Sequence, residues 1–163
     1  LLHTTGFAPV SIDIGGDNPL YPVITVLARK METAQPDTGS ARDNNLAFCA
    51  AYTARDRALW LDVQTRLHGV LAPREPVYIW SAGVQTSQLL ARTDLIQHAQ
   101  IVGLTDRDPR KQGFTLEGLP ILPPDEVIAA PHRILIASYS FAQGIAADLS
   151  ARGVTPERIV HIY

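Results

Sequence analysis

The spacing of apolar and polar positions changes period twice along this chain. From Phe7 to Ile14 apolar and polar residues alternate, which favours a strand. Gly15-Gly16-Asp17-Asn18-Pro19 is turn chemistry and residues 21–29 form a second β-type run, so this part predicts a hairpin with a long loop. Residues 30–45 are polar, include Pro36, Gly39 and Ser40, and read as a linker. Apolar residues then fall at 48, 52, 59, 60, 63, 67, 70 and 71, one face of a long helix over 46–71 that ends before Pro73. Phe48 and Trp60 on this helix are expected to pack against the domain that follows, and Cys49 is expected to be buried.

From Pro76 onward β-type and helical segments alternate. A strand at 77–80 precedes a helix at 84–92, and a strand at 100–105 leads into a turn-rich loop. The run Leu119-Pro120-Ile121-Leu122 precedes a small helix over 124–130, whose opening prolines and acids suit a first helical turn. A strand at 133–138 precedes a helix at 141–152, and a strand at 158–162 follows. Near-continuous apolar strands alternating with helices predict an α/β fold, a parallel sheet with both faces covered. Right-handed crossovers give the strand order 3-2-1-4-5 and a Rossmann-like architecture. The expected organisation is a hairpin in 1–30, a linker in 31–45, a long helix in 46–72 and the α/β domain in 73–163.

Composition narrows the classes of partner. Of 163 residues 46% are hydrophobic and 18% charged, ordinary values for a globular protein. A net charge of −2 offers no electrostatic reason to bind nucleic acid or an anionic membrane. No apolar run approaches the roughly 20 residues of a membrane span, and no signal-peptide pattern opens the chain. The single Cys49 excludes an internal disulfide and agrees with a reducing cytoplasm, the expected location. The five histidines stand away from Cys and carboxylates at ligand spacing, so no metal site is expected.

Three groups of polar residues fall at the expected carboxyl ends of strands, where open α/β sheets bind ligands. Tyr78-Ile79-Trp80 feeds Ser81-Ala82-Gly83-Val84-Gln85-Thr86 directly into a helix, an arrangement that holds phosphate or sugar-nucleotide groups. The dinucleotide fingerprint wants glycine at three places that here hold Ser81, Gly83 and Thr86, so one glycine remains. Asp106 lies 23 residues after Gly83, at the end of the next strand, where an acid meets a ribose hydroxyl. Asp106 and Asp108 equally fit the closing of a turn before Pro109. Ser138 and Tyr139 follow a later strand and offer hydroxyls to sugar or phosphate oxygens, while Ser140 fits the N-cap of helix 141–152. Ser138 lacks a Gly-x-Ser-x-Gly elbow and Tyr139 lacks a Tyr-x-x-x-Lys partner, so no catalytic residue is assigned. Arg107, Arg110 and Lys111 read as a solvated basic loop within reach of a phosphate. The candidate ligand-binding residues are therefore Ser81, Gly83, Gln85, Thr86, Asp106, Asp108, Ser138 and Tyr139.

Four segments carry a resemblance: Ile79 through Leu90, Val102 through Gly113, Gly118-Leu119-Pro120-Ile121 and Ser138-Tyr139-Ser140-Phe141. Over residues 76–163 the chain resembles the C-terminal Rossmann-like domain of the sugar C-methyltransferases, S-adenosylmethionine-dependent enzymes acting on nucleotide-linked deoxysugars. Asp106-x-Asp108-Pro109-x-Lys111-Gln112-Gly113 is the most specific piece. Residues 1–30 look like the closing helix, strand, turn and strand of a class I methyltransferase domain, and Leu1-Leu2-His3-Thr4-Thr5-Gly6 reads as the last turns of a helix with a glycine cap. The resemblance implies that this chain is the C-terminal portion of such an enzyme, that S-adenosylmethionine serves the parent protein without being bound here, and that His3 is not the family's catalytic histidine. It implies a role facing the nucleotide sugar for Gly83, Asp106 and the Ser138-Tyr139 loop, with Ser81 at the family's first glycine place. Two other readings remain open: a stand-alone NAD(P)- or sugar-nucleotide-binding enzyme, and a non-catalytic interaction module in which helix 46–71 pairs two copies.

Overall fold

The computed structural model describes residues 6–15, 23–32 and 40–163. The expected helix end at 1–5, the tip of the long hairpin loop and the middle of the linker lie outside the described residues. The chain divides into two units, residues 1–58 and 59–163.

The first unit holds strands β1 (Phe7–Gly15) and β2 (Val23–Lys30), paired antiparallel. The register shifts between Pro9 and Ser11, placing a bulge at Val10. The alternation read in the sequence survives as the cross-strand pair Ile12 and Val26 backed by Asp13 and Thr25.

Helix α1 (Ser40–Val70) begins six residues before Leu46, the expected start. Those residues are polar and carry no apolar period, so hydrophobic patterning misses them. Residues 46–55 are exposed, Phe48 at 44%, and the expectation of a buried Cys49 is corrected. The buried residues of α1 are Trp60, Val63 and Leu67, with Leu71 just beyond its end. At about 100° per residue, Phe48 lies about 120° around the helix from Trp60, outside the buried stripe.

The second unit is built on a mixed six-stranded sheet. Its strands are β3 (Pro76–Trp80), β4 (Gln100–Thr105), β5 (Thr115–Leu116), β6 (Leu119–Leu122), β7 (Arg133–Ile136) and β8 (Ile159–His161). Neighbours run β5-β6-β4-β3-β7-β8, all parallel except β5, which is antiparallel to β6. The expectation of a wholly parallel sheet is corrected by this edge strand. Its cause is local: Glu117 and Gly118 both have positive φ, 52° and 78°, the backbone of a two-residue hairpin turn. Glu-Gly is a weaker signal of that turn than Asn-Gly or Asp-Gly, and the segment reads as loop.

Helix α2 (Val84–Arg92) and the short α3 (Leu95–His98) connect β3 to β4, α4 (Pro124–Ala129) connects β6 to β7, and α5 (Ala142–Ala151) connects β7 to β8. Tyr78, Trp80, Ile134 and Ile136 project from one sheet face into a cluster with Val127, Ile145 and Leu149 from α4 and α5. Ile79, Leu104 and Leu135, also fully buried, alternate to the opposite face. Gly103 in β4 is a close-approach glycine: a Cβ there would stand 3.3 Å from the Pro120 carbonyl oxygen and 3.1 Å from Leu122 Cδ1. Arg158 ties the last strand to the rest, its guanidinium donating to the carbonyls of Val127, Ile128 and His132 at 3.3, 3.1 and 3.0 Å. No helix among the described residues is long and apolar enough to cross a membrane.

Candidate functional site

Strand β3 is flanked by β4 on one side and β7 on the other. The chain leaves β3 toward β4 on one side and leaves β7 toward β8 on the other, so the carboxyl ends of β3 and β7 flank the switch point at which open α/β sheets form a crevice. A shallow cleft of about 130 Å³ lies there, lined by Trp80, Ser81, Asp106, Arg107, Ser138, Phe141 and Ile145. Three residues expected from sequence to face a ligand, Ser81, Asp106 and Ser138, meet in it.

Ser81 has φ +97°, a conformation that costs a residue with a Cβ on the order of 1–2 kcal/mol. The turn holds it from both sides. The Ser81 N–H donates to the Thr105 carbonyl at 2.8 Å, and the fully buried Thr86 hydroxyl donates to the Ser81 carbonyl. The first glycine place of the fingerprint therefore keeps the glycine-like backbone without the glycine. Gly83, by contrast, is extended at φ −152°, and a Cβ on it would meet only Ser81 Oγ at 3.9 Å. Ser81→Gly is expected to raise stability by about 1 kcal/mol, read as a higher urea midpoint at unchanged slope. A lower midpoint would show that the serine hydroxyl contributes more than the turn costs.

Asp106 sits at the tip of β4, its side chain 16% exposed, and both carboxylate oxygens are engaged. Oδ2 accepts the Ala82 N–H at 3.1 Å and the Lys111 ammonium at 2.7 Å, and Oδ1 accepts the Asp108 N–H at 3.0 Å. Lys111 Nζ also donates to the Ala82 carbonyl at 3.0 Å, and Gln112 Nε2 donates to the Asp106 carbonyl at 3.0 Å. Partial burial pushes the Asp106 pKa upward, but the hydrogen bonds from Asp108, Lys111 and Ala82 outweigh it and leave the carboxyl below its ordinary range. Asp108 turns away to a two-point pair with Arg110, at 3.0 and 2.9 Å, which lowers its pKa to about 2. The segment Asp106 to Gln112 is thus a largely self-bonded loop.

Ser138 is nearly buried at the tip of β7 and lines the cleft. The Tyr139 N–H donates to Gln85 Oε1 at 3.2 Å, joining the start of α2 to the loop after β7. The Tyr139 ring stands edge-on to Tyr163, with centroids 5.8 Å apart. Gln85 Nε2 and Gln88 Oε1 are buried without a hydrogen-bond partner. The expected N-cap Ser140 is corrected: Phe141 holds the cap position of α5, and its own side chain makes no cap hydrogen bond. Placing the helix start one residue later turns the aromatic ring to the rim of the cleft, where it is 70% exposed.

Trp80 and Ile145 also line the cleft, although aromatic and aliphatic side chains in periodic segments read as core, and Phe141, which follows Ser138 and Tyr139 in the loop after β7, lines it as well. Arg107 was legible only as part of a basic loop; it reaches the cleft and stands 3.9 Å from Asp148. Among the described residues no group of three or more His, Cys, Asp or Glu is placed to hold a metal ion.

No protein-family model matches the chain, and no curated protein matches it.

Proposed function

We propose that residues 76–163 form a Rossmann-like ligand-positioning domain, belonging to a methyltransferase of the sugar C-methyltransferase type. In this reading the domain presents its strand tips to a nucleotide sugar. The observation that carries the reading is the convergence of Ser81, Asp106 and Ser138, with Arg107 and Phe141, on one cleft at the switch point. Counted in chain order, the parallel strands lie third, second, first, fourth, fifth, and this order supports the Rossmann-like assignment. Two hydroxyls, a guanidinium and an exposed aromatic edge suit a ligand that joins phosphate to a sugar or a base.

The cleft does not fit S-adenosylmethionine. Its turn has a single glycine, Gly83, in an extended backbone, and it lacks the glycine-rich approach such a cofactor requires. The methyl donor belongs in this reading to another domain of the parent enzyme, and no methyl-transfer step is assigned to these residues. The exposed Leu46, Phe48 and Tyr52 of α1 support the expected pairing of two copies through residues 46–71.

The test is a titration of the chain with UDP-glucose, followed by amide chemical shifts. Expected are shifts centred on Ser81, Arg107 and Ser138, a Kd of about 1 mM or tighter, and about tenfold weaker binding by Arg107→Ala. Shifts confined to other surfaces, or none at about ten times that concentration, overturn the reading. Methyl transfer from S-adenosylmethionine by this chain alone is expected to stay at background.

A further inference from the structure

The carboxylate of Asp106 occupies the place where a dinucleotide-binding sheet takes a ribose. An acid at the tip of the second strand binds the ribose through its hydroxyls, and a cis-diol asks a carboxylate for two free acceptor positions. A carboxylate offers about four lone-pair positions. Three are filled from within the chain, by the N–H groups of Ala82 and Asp108 and by the Lys111 ammonium. The ammonium is the contact that distinguishes this acid, because the two backbone donors leave room for a diol and the lysine removes it. Lys111 is fixed there by a second bond, to the Ala82 carbonyl at 3.0 Å, so that it bridges the β4 tip and the β3–α2 turn. Asp106 nevertheless lines the cleft, so the closure is chemical rather than steric.

We infer that Lys111 is a specificity residue: its ammonium closes Asp106 to ribose diols and keeps the nucleoside half of a ligand off this shelf. The part of a nucleotide sugar that rests here is then its phosphate or hexose end, beside Arg107, Ser81 and Ser138. This rests on the reading of the strand-tip cleft as a ligand shelf.

The experiment compares adenosine with 2′,3′-dideoxyadenosine, two probes that differ only in the diol, by saturation-transfer NMR and calorimetry on the whole chain. The wild type is expected to bind both equally weakly. Lys111→Met, checked for folding by circular dichroism, is expected to bind adenosine at least about tenfold more tightly, with no gain for the dideoxy probe, since two hydrogen bonds to a charged acceptor are regained. A folded Lys111→Met without that diol-dependent gain overturns the inference. So does a wild type that prefers adenosine about tenfold, a comparison that needs no variant and stands if Lys111→Met does not fold. The outcome is separable from the UDP-glucose titration. A wild type that binds UDP-glucose and also prefers the diol keeps the shelf and loses the role of Lys111. A diol gain in Lys111→Met without UDP-glucose binding by the wild type does the reverse.

Discussion

Trp80→Ala is expected to destabilise the second unit by about 3–5 kcal/mol, the range for emptying a large buried aromatic site. Trp80 is 2% exposed and packs among Tyr78, Ile136, Ile145 and Leu149, at the end of the central strand. Its neighbours come from β3, β7 and α5, so collapse around the vacancy would need three elements to move together. The loss should appear as a lower urea midpoint and an unfolding temperature lower by well over about 10 °C for a unit of this size. Because Trp80 also lines the cleft, the variant should lose the UDP-glucose shifts expected of the proposed site even where it remains folded. Trp80→Phe should recover most of the stability. An alanine variant within about 1 kcal/mol of wild type would mean that this packing is far looser than its burial implies.

The second large effect is electrostatic. Asp106→Asn is expected to cost about 2–3 kcal/mol at neutral pH, since it weakens three hydrogen bonds to an ionised acceptor and leaves Lys111 without its charged partner. It should also change the response to acid. A carboxyl with a lowered pKa holds its proton less tightly in the folded than in the unfolded chain. The stabilisation from Asp106 and Asp108 is therefore complete above the unfolded value of about 3.9 and drains away as pH falls through the folded values. For Asp108 that folded value is about 2, so wild-type stability should fall between about pH 4 and pH 2. In Asp106→Asn the slope over this window should be shallower. Denaturant midpoints measured from pH 6 to pH 2 decide the matter, and parallel curves for the two proteins would remove Asp106 from the account.

Five of the six strands of the second unit were legible in the sequence because each is a short apolar run bounded by turn residues, and β4 falls at 100–105 as read. The antiparallel β5 was not legible, since two residues carry no period and the turn beside them uses glutamate at a positive φ. The long helix was legible, but which of its apolar residues are buried was not: a stripe drawn through 48 and 60 combines positions that point in different directions. At the cleft, the polar strand tips were legible from their place after β-type runs. What Asp106 does with its carboxylate was not, because that depends on Lys111 folding back across the turn after Asp108 and Pro109, and side-chain reach leaves no trace in spacing. Ser81 shows the same limit, since nothing in a serine announces a left-handed backbone.

The margins of the six-stranded sheet bear on how the second unit behaves when crowded. One margin is the two-residue Thr115–Leu116 and the other the three-residue Ile159–His161. Recruitment of a foreign strand, the first event in fibril growth, needs a long row of unsatisfied amides. Neither border supplies one, so the longer and more apolar central strands are shielded from intermolecular pairing by borders too brief to act as templates.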